Sequence, residues 1–200
     1  MSKGRLEAFS DGVLAIAITI MVLELRAPAE GNPEALKPLI PAILSYILSF
    51  VYLGIYWNNH HHLFQAVRRV DGRVLWANLH LLFWLSLVPF VTKWIGDTAF
   101  VAVSPVFSYG VVLLGAAMAY SILVRALLAL HGPDSLLAKA VGADLKGKIS
   151  LLLYVAGLVA SLWLPLVACG LYLAVAIMWL FPDRRIERLL LAEPPPGDGA

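Results

Sequence analysis

The sequence is poor in cysteine and in charged residues, and each shortage excludes a class of protein. A single cysteine, Cys169, allows no disulfide bond within the chain. Charged residues make up 14% of the chain and hydrophobic residues 60%, whereas soluble domains have about a quarter charged and about half apolar. No basic patch with interleaved aromatic residues is present, so no nucleic-acid partner is expected. The composition therefore predicts an integral membrane protein.

Long apolar runs fill the chain and favour membrane-spanning helices. The runs do not alternate as barrel strands do, and a helix crosses a bilayer with roughly 20 apolar residues. The first run lacks the features of a cleaved signal peptide, so we expect it to be retained. We predict an all-α integral membrane protein: a single six-helix domain, residues 1–190, and a short disordered tail, 191–200. The predicted transmembrane helices cover about residues 5–26, 37–63, 74–95, 104–130, 147–165 and 166–182, the polar segment 131–148 having room for a short helix.

Basic residues are distributed unevenly between the two predicted sides of the membrane. An even number of helices places both termini on one side. Twelve Lys and Arg residues fall on that side, and only Arg26, Lys37 and Lys93 fall on the other. Because Lys and Arg concentrate in cytoplasmic loops, both termini are expected to face the cytoplasm. The twelve are Lys3, Arg5, Arg68, Arg69, Arg73, Arg125, Lys139, Lys146, Lys148, Arg184, Arg185 and Arg188.

A largely apolar stripe follows one side of the first predicted helix. At about 100° per residue, Ser10 and Asp11 project well over 100° away from Ile16, and Thr19 lies at the edge of the stripe. The spacing suits a packing face, a lipid-facing surface or a pore wall that gates by dewetting, and does not distinguish them. The stripe consists of Arg5, Phe9, Gly12, Ile16, Ile20 and Leu23.

A polar layer is predicted where the first three helices meet on the cytoplasmic side. A buried aspartate in a membrane needs a partner, and WNNHHHLFQ at the end of helix two and RVLWANLHLL at the start of helix three supply polar groups at that depth. Alternatively, each histidine is simply solvated at the interface and Asp11 is an end-of-helix charge. Three adjacent histidines point in three directions and no cysteine lies nearby, so no metal or other cofactor is expected. The candidates for the layer are Ser10, Asp11, Asn58, His60, His61, His62, Asn78 and His80.

The motif Arg5-x-x-x-Phe9-Ser10-Asp11, followed by GVLAIAITIMVLEL, resembles the signature of the lysosomal potassium channels and their prokaryotic six-helix relatives, the transmembrane protein one-seventy-five family. The resemblance extends to WNNHHHLF, to Asn78 and to LLFWLSLVPF. It implies a homotetramer whose first helices line a central pore without a TVGYG filter. A single six-helix unit fits the prokaryotic type, which is less potassium-selective than the two-repeat animal members.

The resemblance also implies roles for individual residues. Ile16, five residues after the motif aspartate, would be the first apolar layer of the constriction, and Ile20 and Leu23 the following layers. Thr19 matches a polar position that takes part in ion selection in some members. The residues implied to hold the pore helix in place, with the pairing histidine left open, are Arg5, Phe9, Ser10, Asp11, His61, His62 and Asn78.

We therefore expect a potassium-permeable channel that conducts potassium and other monovalent cations passively across a cell membrane, of the bacterial inner membrane type. The alternative is a proton-coupled secondary transporter that uses Asp11 and the helix-two histidines as a relay, although inverted repeats and broken helices are not evident. An enzyme is not expected, because no nucleophile–base pair or metal-ligand spacing is found.

Overall fold

The computed structural model describes residues 2–29, 31–142 and 144–180, and the regular secondary structure in these ranges is entirely helical. A 3-10 helix, Pro33–Leu39, leads into the second of the eight α-helices found in the described ranges. The predicted tail, 191–200, lies outside the described residues. The α-helices are α1 (Lys3–Leu23), α2 (Ile40–Gln65), α3 (Gly72–Ser86), α4 (Val88–Asp97), α5 (Val103–His131), α6 (Leu136–Val141), α7 (Leu145–Ser161) and α8 (Pro165–Leu180).

Four helical segments of the described chain are long and apolar enough to cross a membrane. They are α1, the 3-10 helix continued by α2, α3 continued by α4, and α5. The helices α7 and α8 are shorter, with 17 and 16 residues, and pack against each other as a hairpin. The chain is thus an all-helical membrane protein, and each of the six predicted segments overlaps a helical segment of the described residues.

The third predicted helix, 74–95, is divided at Leu87. Pro89 has no N–H to donate and its ring would crowd the carbonyl of Leu85, so the regular helix is interrupted here. Leu87 keeps helical dihedral angles, and the N–H of Val91 bonds to its carbonyl at 3.3 Å. The chain consequently continues in nearly the same direction, and α3 and α4 together form one apolar segment of 26 residues.

Helix α5 occupies the centre of the bundle, where it packs against α3, α4, α7 and α8. Two of its glycines allow aromatic rings to approach closely. A Cβ at Gly110 would lie 2.0 Å from the hydroxyl of Tyr172, and one at Gly115 would lie 2.4 Å from the indole of Trp84. Any larger residue at these positions would push α8 or α3 away from α5.

Helix α1 lies on the outside of this bundle, against α2, α3 and α4. Its buried positions recur every three or four residues, as expected for one covered face. The remaining faces are not covered by the described part of the chain. The buried residues of α1 are Leu6, Ser10, Leu14, Ala17 and Met21.

Candidate functional site

A chain of hydrogen bonds joins α1, α2 and α3 inside the bundle. The amide nitrogen of Asn78 donates to the hydroxyl of Ser10 at 2.9 Å, and this hydroxyl donates to the carbonyl of Leu6 at 2.9 Å. The Nε2 atom of His60 lies 2.8 Å from the side-chain oxygen of Asn78. Each of the three side chains is at most 3% exposed. The motif serine is therefore bonded through one amide to a histidine on another helix.

The direction of these bonds determines which ring nitrogen of His60 must carry a hydrogen. The side-chain oxygen of Asn78 can only accept, so the Nε2 atom of His60 carries the hydrogen. The ring also stacks on Phe64, with centroids 4.5 Å apart. Leaving a buried polar atom without its hydrogen-bond partner lowers the free energy of unfolding by about 1–3 kcal/mol. Because each of these side chains satisfies the hydrogen-bonding group of the next, this series of hydrogen bonds favours one position of α1 against α2 and α3.

Asp11, the neighbour of Ser10, makes a separate contact outside the bundle. Its carboxylate accepts a hydrogen bond of 3.0 Å from the indole nitrogen of Trp57 on α2. Consecutive helical residues project about 100° apart, so Ser10 is buried while Asp11 is exposed. The two motif residues were expected in one layer, but they hold α1 through two different partners.

The structure differs from the expectation for the histidines. His61 and His62 lie outside the buried chain and both contact Gln65 on their own helix, at 2.9 Å and 3.3 Å. Three consecutive helical residues cannot share one face, and the core-facing member is His60. His60 follows Ser49, which is also buried, by eleven residues or about three turns, so both lie on the same side of α2.

Further residues that the sequence analysis singled out lie outside the buried chain of hydrogen bonds. Arg5 and Phe9, which the resemblance implies hold the pore helix, are exposed, Phe9 by 54%. His80 accepts a hydrogen bond of 3.1 Å from the indole of Trp84, one turn along α3. Among residues 2–29, 31–142 and 144–180, no group of three or more histidine, cysteine, aspartate or glutamate side chains could hold a metal ion.

The apolar stripe of α1 lies on the side away from the bundle. Ile16, Ile20 and Leu23 are 59%, 44% and 79% exposed. Thr19 is also exposed, and its hydroxyl donates to the carbonyl of Ile16 at 2.9 Å. A single helix cannot enclose a pathway, so this surface suits either lipid or further copies of α1.

A third contact holds the far end of α1. The ammonium group of Lys93 on α4 lies 3.6 Å from the carboxylate of Glu24 and 3.0 Å from that of Asp97. These groups are 41–56% exposed, so the ion pairs are weak individually. Helix α1 is nevertheless attached to its neighbours at both ends.

Comparison with known proteins identifies relatives along nearly the whole chain. The family described as endosomal/lysosomal potassium channel TMEM175 matches residues 5–89. A potassium channel of Chryseobacterium sp. is 54% identical over 190 residues, which cover 95% of this chain and 98% of that protein. A potassium channel of Streptomyces collinus is 40% identical over 99 residues, about half of each chain. These relatives are ion channels rather than enzymes.

A solved structure agrees with the fold. The crystal structure of a lysosomal potassium-selective channel TMEM175 homolog from Chamaesiphon minutus matches with a TM-score of 0.75 and 29% identity. The match covers 89% of this chain and 96% of that one. The resemblance noted in the sequence is thereby confirmed, and this chain belongs to the TMEM175 family.

Proposed function

We propose that the protein is a potassium-permeable cation channel, formed by four copies that surround a central pore with their α1 helices. The relatives named as potassium channels support the ion and the activity. The observation that carries the pore assignment is the exposure of Ile16, Ile20 and Leu23 on a helix whose opposite face is buried. Four such stripes facing one axis would cover each other and enclose a narrow apolar pathway.

The chemistry of the stripe suits a constriction. Rings of Ile16, Ile20 and Leu23 would narrow the pathway at successive turns, and narrow apolar segments gate by dewetting. The ion that loses water most easily then passes most readily. Potassium is larger than sodium and holds its water less tightly, so a modest preference for potassium follows. Thr19, at the edge of the stripe, adds a hydroxyl oxygen whose lone pairs remain available to a cation.

The contacts at both ends of α1 support this role mechanically. The width of such a constriction depends on where four helices stand, so each α1 needs a fixed position. At one end, α1 is held in position by the buried hydrogen bond between Ser10 and Asn78 and by the bond between Asp11 and Trp57. At the other end, it is held by the ion pairs of Lys93.

The proposed channel crosses the membrane six times in each subunit, with both termini in the cytoplasm of a cell of bacterial type. The crossings are α1, α2, α3 with α4, α5, α7 and α8. Helices of 17 and 16 residues, as in α7 and α8, are near the minimum for spanning. The twelve basic residues against three support the orientation.

Proton-coupled transport through Asp11 and the helix-two histidines is the rival function. The described contact of Asp11 is with the indole of Trp57, and that of His60 is with Asn78. Neither bond links the carboxylate directly to a histidine, which favours the passive channel.

Flux into liposomes tests the proposal. Purified protein is reconstituted into vesicles loaded with potassium and diluted into an impermeant cation, and proton entry is followed with a dye after a protonophore is added. We expect protein-dependent uptake that slows when sodium replaces potassium inside. Vesicles without protein provide the baseline. Absence of potassium flux, together with proton uptake under a pH gradient without protonophore, would reject the passive channel in favour of the transporter.

A further inference from the structure

A second site is built between α2, α5, α7 and α8, away from α1. These helices line a partly open cavity of about 50 Å³. Aromatic rings from all four helices form much of its wall. They belong to Tyr52, Tyr56, Tyr120, Tyr154 and Trp179.

The polar atoms of several of these rings are already bonded elsewhere. The hydroxyl of Tyr52 donates to the carbonyl of Tyr172 at 2.5 Å, and that of Tyr120 donates to the carbonyl of Asn59 at 3.2 Å. The indole N–H of Trp179 donates to the hydroxyl of Ser150 at 2.8 Å. These rings therefore offer an occupant mainly aromatic surface, whose faces carry the negative end of the ring quadrupole and attract cations.

A carboxylate completes the cavity. Among the described residues that line it, Asp144 is the charged one. It caps the start of α7, where its carboxylate accepts from the N–H of Gly147 at 3.2 Å. A Cβ on Gly147 would lie 2.5 Å from both carboxylate oxygens, so this position leaves space for the carboxylate.

The structure also shows an ammonium group on one of these rings. The Nζ atom of Lys146 lies 5.9 Å from the centroid of Trp179, within the range of a cation–π contact. An ammonium group that carries apolar substituents would interact favourably with both the aromatic wall and the carboxylate of Asp144. A bare metal cation would instead need several free oxygen ligands.

We propose that this cavity binds an organic ammonium group, carried by a small amine or by a lipid headgroup. The site is separate from α1 and does not depend on the pore assignment. Tetramethylammonium is a suitable probe, because it combines one positive charge with a compact apolar surface. Its binding to the native state would raise the melting temperature of the purified channel.

The test is a titration of detergent-purified protein with tetramethylammonium chloride, read as melting temperature. Potassium chloride at equal concentration controls for ionic strength, and tert-butanol is the neutral analogue. We expect a saturating rise with tetramethylammonium alone. Asp144→Asn keeps the helix cap and should raise the half-saturating concentration about fivefold. A rise no larger than that in potassium chloride would overturn the proposal.

A matched pair of variants tests the aromatic wall. Tyr120→Leu removes a ring and should weaken binding by about fivefold, whereas Tyr120→Phe keeps the ring and should bind as the parent does. Equal affinity of Tyr120→Leu and the parent protein for tetramethylammonium would also reject the proposal. If Tyr120→Leu fails to fold, the affinity of Asp144→Asn decides the question.

Nanodiscs distinguish the two sources of the group. A smaller effect of tetramethylammonium in discs containing phosphatidylethanolamine than in discs of phosphatidylglycerol alone would identify a lipid headgroup as occupant. Equal effects would identify a free amine.

Discussion

The two faces of α1 are both largely apolar, yet the described part of the chain covers only one of them. The covered face carries Leu14 and Ala17, which are at most 4% exposed, and the other carries Ile16 and Leu23, which are 59% and 79% exposed. The difference is marked by two hydroxyl groups. Both donate to a carbonyl of α1 itself, but the hydroxyl of Ser10 also accepts a hydrogen bond from Asn78 on α3, whereas Thr19 is exposed. In this helix the bond to a second helix shows which face packs against protein, and hydrophobicity alone does not.

The largest expected effect comes from making the uncovered face polar. Ile16→Asn should wet the proposed constriction and bring the ratio of potassium to sodium permeability close to one. The matched control is Ile47→Asn on α2, where the isoleucine is 50% exposed and should face lipid, so the ratio should stay at the parent value. Ion-replacement flux in liposomes measures both, and an unchanged ratio in Ile16→Asn would remove Ile16 from the filter.

The covered face should be sensitive to the histidine that the structure places inside the bundle. His60→Leu leaves the side-chain oxygen of Asn78 buried without its donor and should lower the free energy of unfolding by about 1–3 kcal/mol. His61→Leu, at an exposed position, should change it by less than about 0.5 kcal/mol. Melting temperatures of the two variants in detergent show which of them loses more stability. A greater loss in His61→Leu would contradict the bonding described for His60.

The bond between Asp11 and Trp57 is exposed and should matter less than the buried chain. Trp57→Phe removes the indole donor but keeps a ring, and should cost about 0.5–1.5 kcal/mol. Trp76→Phe, at a residue that is 75% exposed, is the control and should cost less. Thermal unfolding of both variants compares them. Equal melting temperatures would show that this contact does not hold α1.

The smallest effect is expected at the far end of α1. Lys93→Met removes ion pairs with Glu24 and Asp97 and should cost less than about 1 kcal/mol, less again at high salt. Lys37→Met removes a pair with Glu34 that lies entirely outside α1. We expect only Lys93→Met to alter potassium flux, because only that lysine contacts the proposed pore helix. The same flux in both variants would argue against a role for this end.

Much of the fold followed from the sequence because apolar length is a local property. The six segments were placed within a few residues, whereas the division at Leu87 was missed even though Pro89 lies two residues further on. A proline within a long apolar run can either interrupt the regular helix or be accommodated in a continuous one. The sequence alone does not distinguish these two outcomes.

The partners in the candidate site were harder to predict, because they depend on the angular position of each helix. Ser10 and Asn78 were both candidates for the predicted polar layer, and the structure joins them directly. The choice among three adjacent histidines required the phase of α2, which places His60 inward. The partner of Asp11 is an indole from the same stretch, and no local pattern shows which carboxylate an indole will reach.

Reaction of a thiol placed on the stripe tests the central proposal most directly. In a Cys169→Ala background, Leu23→Cys places a thiol on the stripe and Val22→Cys places one on an exposed neighbour that projects about 100° away. Potassium flux into liposomes is measured before and after a charged methanethiosulfonate reagent. Loss of flux in Leu23→Cys but not in Val22→Cys is the predicted result. Unchanged flux in Leu23→Cys, once labelling of the thiol is verified, would contradict a pore lined by this face of α1.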